Sequence, residues 1–239
     1  ATSALIQTIT YENSDTDNPT TGDRTVRYVL TDGDGGTSTN YDTTISFGAV
    51  NDVPTIANLG GDTLSYSEGD GASIIDQSTD ATVTDVDSAD FDGGALTVSF
   101  TAGSDSAEDV LSIVNQGTGA DQIGISGSDV TYEGTVIGTV AGGSSGNDLV
   151  ISFAADATSA ATSALIQSIT YENTDTDNPT TGDRTVRYVV TDGDGGTSTN
   201  YDTTISFGAV NDVPTIANLG GDTLSYSEGA GALVIDQSA

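Results

Sequence analysis

The sequence predicts an all-β protein built from tandem antiparallel β-sandwich modules, each with one short helix. Apolar residues alternate with polar ones along short segments such as residues 96–100 and 149–153, which is the two-residue period of strands with one buried face. Clusters of Gly, Asp, Asn and Ser separate these segments, as they do in hairpin-rich folds. A long stretch of the sequence also recurs, which indicates an array of similar modules.

The alternating segments predict about ten short strands in each module. Side chains of the same parity share one face of a strand, so we expect those faces to form the core of the sandwich. The inward-facing residues are Leu64 and Tyr66; Leu96, Val98 and Phe100; Leu111 and Ile113; Val130 and Tyr132; Leu149, Ile151 and Phe153; Val186, Tyr188 and Val190; and Tyr201, Thr203, Ile205 and Phe207.

One segment does not alternate. Residues 158–166, TSAATSALI, are rich in Ala and predict a short helix, with Asp156 and Ser159 as candidate N-caps. A strand from Ser168 to Tyr171 should follow it. The same sequence opens the chain, so we expect the helix again at residues 1–6.

The recurrence fixes the size of the module. Residues 1–79 return as residues 161–239 with seven differences, at a shift of 160 positions. A unit of this length is the size of a domain, so we expect each one to fold around its own core.

A proline-containing segment marks the predicted boundary between modules. Proline removes a ladder donor and extends the residue before it, so the segment NDVP at residues 51–54 and again at 211–214 fits a linker after a strand. An alternative phase, with a core assembled across that boundary, stays open. The predicted division is the C-terminal part of one module (1–54), one complete module (55–214) and the start of a third (215–239).

The composition excludes several classes of partner. The chain has 36 acidic residues, 30 of them Asp, against four Arg, and its formal net charge is −32. Such a surface repels nucleic-acid phosphates and anionic membranes, and it favours bound cations. No apolar run approaches the roughly 20 residues that span a bilayer, so we expect no direct membrane insertion. The alternating apolar runs favour a folded core over acidic disorder.

The composition also argues against catalysis. The chain lacks His, Cys and Lys, so the usual general bases and activated nucleophiles are missing, and we expect no enzyme. Only carboxylate pairs of the glycosidase kind remain, and near-identical tandem copies without Trp disfavour a sugar-cleaving cleft. Without disulfides, calcium could stabilise an extracellular module instead.

Clusters of Asp are the candidate metal sites, because calcium prefers six to eight oxygen ligands from carboxylates, amides and carbonyls on loops. None of them matches an EF-hand, since no Glu stands at position twelve of the loop, and each taken singly also fits an ordinary hairpin turn. The clusters are Asp85, Asp87 and Asp90; Asp192 and Asp194 with the copies Asp32 and Asp34; Asn211 and Asp212 with the copies Asn51 and Asp52; and residues 175–178 with the copy 15–18.

The segment from Arg184 to Ile216, RTVRYVVTDGDGGTSTNYDTTISFGAVNDVPTI, resembles the end of a cadherin-type repeat and the linker after it. It is similar to the cadherin-like tandem repeats of giant bacterial surface adhesins, of the kind grouped with VCBS and RTX adhesins. The stretch from Asp109 to Phe153 also resembles modules of such proteins. The likeness therefore covers essentially the whole repeating unit and implies a cadherin-like or immunoglobulin-like sandwich.

That family implies calcium held between successive modules. Carried over by position, Asn51 and Asp52 of the linker would meet Asp85 and Asp87 of the following module. Asp192 would lie at the same end of the module, its first pole, as these four residues. These five residues would make the one interdomain site that the chain contains nearly whole.

The second linker would lie at the opposite pole. The resemblance places Glu68 near Asn211 and Asp212, with the partner DxD motif falling beyond residue 239. Asp32 likewise lacks its upstream DxD motif. The unit departs from true cadherins in lacking a DRE motif and in its greater length, which leaves residues 103–160 as a candidate added subdomain.

The expected function is a calcium-stiffened extender repeat of a long secreted or cell-surface adhesin that supports cell adhesion or biofilm attachment. Its partners would be neighbouring repeats of the same polypeptide and, in a fibre, other copies. Two alternatives stay open: a subunit of an extracellular filament, sheath or surface layer, and a carbohydrate-binding surface module. Arg184 and Arg187, three apart on a predicted strand, should face opposite sides and neutralise nearby Asp on the surface.

Overall fold

The computed structural model of the chain describes residues 2–218 and 220–236. Strands hold 35% of the residues and helices 6%, which confirms the predicted all-β class. In chain order the elements are α1 (Thr2–Ile6), β1 (Arg24–Tyr28), β2 (Tyr41–Ile45), β3 (Thr55–Ala57), β4 (Thr63–Ser67), β5 (Ser73–Ile74), β6 (Thr82–Thr84), β7 (Ala95–Ala102), β8 (Asp109–Ile113), β9 (Ile123–Ser126), β10 (Asp129–Tyr132), β11 (Thr135–Ala141), β12 (Leu149–Phe153), α2 (Ser159–Gln167), β13 (Ile169–Asn173), β14 (Arg184–Thr191) and β15 (Tyr201–Gly208).

One large sheet forms the body of the molecule. Its eight strands follow the order β4-β15-β14-β7-β12-β11-β10-β9. Every neighbouring pair is antiparallel except β4 and β15, which run parallel in the register Thr63 to Thr204. The sheet is therefore mixed at this one pair, where an antiparallel sandwich was predicted, because β4 joins the sheet at its edge beside β15 and in the same direction.

A smaller layer covers the large sheet. It consists of the three-stranded sheet β5-β13-β8, the pair β3-β6 and helix α2. The helix is fixed to β6 where the Ser163 hydroxyl accepts the N–H of Val83 at 2.8 Å and the Gln167 amide donates to the carbonyl of Ala81 at 2.8 Å. Alternate residues of β7, β12 and β14 fill the space between the layers and are buried.

Residues 55–208 contain thirteen strands, more than the ten expected. The predicted segments do not include β3, β5, β6, β9 or β11. The first three have only two or three residues, which carry no detectable period. Residues 103–160 do not form a separate subdomain, since β12 lies between β7 and β11 in the large sheet and β8 pairs with β13.

Both predicted helices are present, although Ala1 of the first prediction lies outside the described residues, and the N-cap of α2 differs from the prediction. Helix α2 begins at Ser159, and its N-cap is Thr158, whose hydroxyl accepts the N–H of Ala161 at 3.3 Å. Asp156 and Ser159 do not cap it, because an extended backbone at Thr158 places that hydroxyl over the first turn.

The prediction that Arg184 lies on the surface is also wrong. Its side chain is fully buried, and its Nε donates to the Asp109 carboxylate at 3.1 Å. Glu108 lies 3.6 Å from its guanidinium, and the Phe207 ring stacks 4.3 Å beneath it. The Tyr171 hydroxyl donates to Asp109 at 2.6 Å, so the buried carboxylate is fully hydrogen-bonded.

Candidate cation site at the linker

The predicted linker after β2 meets two loops that belong to residues 55–208. The Asn51 side-chain amide donates to Asp192 at 2.8 Å and to the carbonyl of Asp52 at 2.6 Å. The backbone N–H of Asp52 donates to the Asp87 carboxylate at 3.2 Å. The structure therefore brings together the linker and the two acidic loops that the sequence analysis grouped.

Asp192 is held in place by its own turn. It follows β14 and is only 1% exposed. One carboxylate oxygen accepts the N–H groups of Asp194, Gly195 and Gly196 at 2.8, 3.0 and 2.9 Å. Burial raises the pKa of Asp192, but the Asn51 amide and these N–H groups outweigh burial and hold the pKa below its usual value. The carboxylate is therefore ionised at neutral pH.

Asp85 lies in the loop after β6. One of its oxygens accepts the N–H of Asp87 at 3.2 Å and of Ser88 at 3.1 Å. Burial raises the pKa of Asp85, and the neighbouring Asp87 adds to the rise against these two hydrogen bonds.

Two carboxylate oxygens at this joint are buried and have no hydrogen-bond partner. They are Oδ2 of Asp52 and Oδ2 of Asp85. A buried carboxylate oxygen without a partner is costly, so each of them favours a ligand that carries positive charge.

Glycines bring these segments close together. A Cβ on Gly196 would collide with the carboxylate of Asp192 and would lie 2.7 Å from the amide nitrogen of Asn51. A Cβ on Gly94 would collide with the carbonyl of Thr191 in the same way. Neither position tolerates a side chain, because the linker and the Asp192 carboxylate lie against Gly196 and the turn after β14 lies against Gly94.

Some predicted residues do not join the site. The Asp194 side chain is exposed, and Asp90 accepts the N–H of Asp92 at 3.2 Å within its own turn. Across residues 2–218 and 220–236, no three acidic, His or Cys side chains form a group that could hold a metal ion. The carboxylates of Asp52 and Asp85 at the joint each keep one oxygen without a hydrogen-bond partner, and they are not part of a ready-made group of three such ligands in the described residues.

The opposite pole holds Glu68 next to the second linker. One Glu68 oxygen accepts the N–H of Val210 at 2.8 Å, and the other, Oε1, is buried without a partner. The Asn211 amide donates to the carbonyl of Asp212 at 2.9 Å, which repeats the local contact of Asn51 with Asp52. Asp212 itself is exposed.

In the first copy, Asp32 accepts the N–H groups of Asp34 and Gly36, each at 2.9 Å. Asp32 and Asp34 are both exposed. This turn has the same local geometry as the turn of Asp192, without a linker amide against it.

One contact at the joint was missed by the sequence analysis. The Asn18 side chain donates to the carbonyl of Val86 at 3.0 Å, so the loop of residues 15–18 also touches the acidic loop after β6. The loop stood out as an Asp cluster, but no spacing in the sequence pairs it with Val86, because the two are 68 residues apart.

The donor set at the joint fits calcium in its chemistry. Carboxylates and a side-chain amide on irregular loops are the oxygen donors that this ion takes. None of the four Arg contacts the joint. Arg27 and Arg187 pair with Asp42 and Asp202, Arg184 pairs with Asp109, and Arg24 donates to the carbonyls of Gly22 and Thr20.

In the described part of the chain, neither helix is long and apolar enough to cross a membrane. Comparison of the chain with protein families, with curated proteins and with solved structures finds no match.

Proposed function

We propose that the chain is a calcium-stiffened extender repeat of a long secreted or cell-surface adhesin, without catalytic activity. The observation that carries this proposal is the pair of partnerless, buried oxygens of Asp52 and Asp85 at the junction between linker and module. Asp52 belongs to the linker and Asp85 to the module, so a ligand that binds both oxygens fastens one module to the next.

The chain's own residues prepare the joint. Asn51 holds the linker against Asp192, and Asp87 accepts the backbone N–H of Asp52. Bound calcium would neutralise the like charges of Asp52, Asp85 and Asp87, which repel one another in its absence. The second linker, with Glu68 beside it, would repeat the arrangement at the far pole.

The repeat itself supports a spacer role. Two copies that differ at seven of 79 positions leave little room for each copy to bind a different partner. A stalk needs modules that are alike and joints that do not bend, and a set of distinct binding surfaces would need divergent loops.

Lateral assembly through the β9 edge, which a filament or sheath could use, is disfavoured. The Gln116 side chain accepts the N–H of Ile123 at 2.9 Å, and the Asn115 side chain accepts the N–H of Ile125 at 3.2 Å and donates to its carbonyl at 3.3 Å. These amides occupy the hydrogen-bonding groups of the edge strand, so β9 cannot add a strand from another copy without losing them.

Small-angle scattering and thermal melting test the proposal on the intact chain, with calcium and with chelator. We expect calcium to reduce the spread of conformations at the joint and to raise the melting temperature, because a ligand at 100 times its Kd stabilises by about 2.7 kcal/mol. The double variant D52N/D85N should lose most of both responses. The exposed-site variant D148N is the matched control and should keep them. If chelator changes neither the scattering profile nor the melting temperature of the native chain, the proposal is wrong.

A further inference from the structure

Residues 60–76 (the docking segment) lie against residues 169–210 (the receiving segment) within the module. Strand β4 runs parallel to β15 over five residue pairs, and β5 is antiparallel to β13. The N–H of Glu68 donates to the carbonyl of Gly208 at 2.9 Å, and a Glu68 carboxylate oxygen accepts the N–H of Val210 at 2.8 Å. Two strands and the turn between them therefore join the start of the module to its end.

Tyr66 is central to this contact and is only 2% exposed. Its ring meets the Tyr171 ring edge-on, with 4.8 Å between the centroids, and stacks on the Phe207 ring at 5.8 Å. Its hydroxyl accepts the N–H of Asn173 at 3.1 Å. All three partners belong to the receiving segment, so these contacts need no residue from β6 to β12.

The chain holds a second copy of each segment. Residues 220–236 repeat the docking segment, and residues 9–50 repeat the receiving segment. Tyr11 and Phe47 stand in the copy where the two ring partners of Tyr66 stand in the module. In the described residues β2, the copy of β15, pairs only with β1, and residues 220–236 form no strand. Each copy therefore presents one half of a contact that the module makes complete.

The differences between the two docking segments favour an apolar contact. A carboxylate is lost at Ala230, and Leu233, which is 45% exposed, stands in the place of Ser73. In the module Ser73 lies opposite Tyr171, so the equivalent partner of Leu233 is the exposed Tyr11. Apolar side chains that lie opposite each other stabilise a strand pair. The second docking segment is thus better suited to an aromatic partner than the first.

The two copied segments extend from opposite ends of the module. Because β14 and β15 are antiparallel, the turn of Asp192 and the chain after Gly208 lie at opposite edges of the sheet. The first linker contacts Asp192, whereas the second leaves beside Glu68. The two halves of the contact therefore lie apart within one chain, and a second copy of the chain can supply each missing half.

We propose that residues 220–236 of one chain add as strands to residues 9–50 of a second copy of the chain. The register of the module places Thr223 opposite Thr44 and Leu233 opposite Tyr11. The interface is head-to-tail, so association continues along an open fibre and does not close into a dimer. The contact uses no calcium and is independent of the proposed function.

Sedimentation equilibrium of the intact chain in chelator tests the association without the calcium joint. We expect the average mass to rise with protein concentration. It should also rise with added salt, because each chain carries a net charge of −32 and salt screens the repulsion between chains.

Three variants of the copied docking segment test its strand pattern. Leu64 and Tyr66 are buried in the module and Ser65 between them is exposed. L224D and Y226D should therefore weaken association about tenfold or more, because each buries a charge. S225D, the matched control, adds the same charge on the outer face and should stay within about twofold of the native chain. Circular dichroism verifies that each variant keeps the fold of residues 55–208.

Disulfide trapping tests the register, since the chain has no Cys of its own. A mixture of T44C chains and T223C chains should form a crosslinked heterodimer on oxidation, because directly opposed residues are close enough for a disulfide. T44C mixed with S227C is the control, because four residues displace the partner by about 13 Å along the strand.

Four results would overturn the proposal. One is a native chain that stays monomeric at every concentration and salt level. Another is association that survives in both L224D and Y226D. The third is equal crosslinking of T44C with T223C and with S227C. The fourth is a chain carrying both T44C and T223C that crosslinks internally at high dilution, which would assign the contact to a single chain.

Discussion

Residues 2–54 and 162–214 are nearly the same sequence in two surroundings, and several short-range side-chain contacts are the same in both. The side chains of Arg27 and Asp42 pair at 2.8 Å, as Arg187 and Asp202 do at 2.7 Å. Arg24 donates to the same two carbonyls in its copy as Arg184 does, and each lies over the copied Phe ring. Hairpins, turns and the contacts inside them therefore follow from residues close in sequence.

The two copies differ in strand length and in side-chain burial, which depend on contacts with the rest of a module. Strand β14 has eight residues, whereas its copy β1 has five. Tyr171 is 0% exposed, whereas Tyr11 is 44% exposed, and Leu165 is 0% exposed, whereas Leu5 is 65% exposed.

The difference has a structural cause. Strand β14 pairs with β7 and β15 pairs with β4, but β1 and β2 pair only with each other. Residues 220–236, which repeat residues 60–76, lead to the same conclusion. Tyr226, the copy of Tyr66, is 58% exposed, and residues 220–236 contain no strand. An isolated hairpin is marginal in water, so the added strands and not the sequence of the hairpin itself set its length and burial.

The largest expected effect comes from completing the first copy. Fusing residues 55–160 ahead of residue 1 supplies the strands that β1 and β2 lack. We expect residues 1–54 to gain the stability of a domain, about 5–15 kcal/mol, and their amides to exchange as slowly as those of residues 161–214. Hydrogen exchange measures this. If residues 1–54 still exchange faster than their copies, the surroundings do not explain the difference.

The second largest difference in stability between the copies should come from replacing Arg184, which is buried, and its copy Arg24. R184M removes the cation from Asp109 and Glu108, and we expect a loss of about 3–5 kcal/mol because two buried carboxylates are left without a counter-charge. R24M should cost about 1 kcal/mol or less, since no carboxylate pairs with Arg24. Urea unfolding of both variants provides the measurement. Equal losses would mean that the arginine acts through its local contacts alone.

Truncating an apolar side chain should show the same difference between the copies, with a somewhat smaller loss of stability. L165A opens a cavity beside α2 and should cost about 2–5 kcal/mol, whereas L5A should cost less than about 0.5 kcal/mol. Thermal melting of the two variants compares them. A comparable loss in L5A would show that the first copy has a packed core of its own.

The smallest expected effect is on the pKa of one Asp in each copy, and it should be equal in the two copies. Hydrogen bonding to Arg27 lowers the pKa of Asp42, and hydrogen bonding to Arg187 lowers that of Asp202. A lowered folded pKa gives stability that is present at neutral pH and is lost as the pH falls through the folded value. We expect NMR titration to find both carboxyl groups below the usual Asp range. R27A and R187A should shift the respective carboxyl group back by similar amounts, and a shift in only one copy would contradict the local origin of the pair.

The acidic joint was predictable in part. The sequence grouped Asn51, Asp52, Asp85, Asp87 and Asp192, and the structure brings the linker against both loops. It did not predict that Asp90 and Asp194 would stay out, because a carboxylate that caps its own turn looks the same in sequence as one that faces a neighbour. Nor could it predict Asn18, whose partner is the backbone carbonyl of Val86, which any residue would offer.

The sequence by itself determined the all-β class, the alternation of buried residues along strands such as β4, β12 and β14, the helix after β12, and the turns in which an Asp carboxylate accepts N–H groups of the residues that follow it. All of these depend on residues a few positions apart. Only the tertiary structure decided that β4 joins the sheet in parallel and that Arg184 is buried on Asp109. Those contacts join residues far apart in the chain, 75 positions in the case of Arg184 and Asp109. Whether a buried ion pair offsets the cost of its desolvation depends on its surroundings in the fold, which no local pattern records.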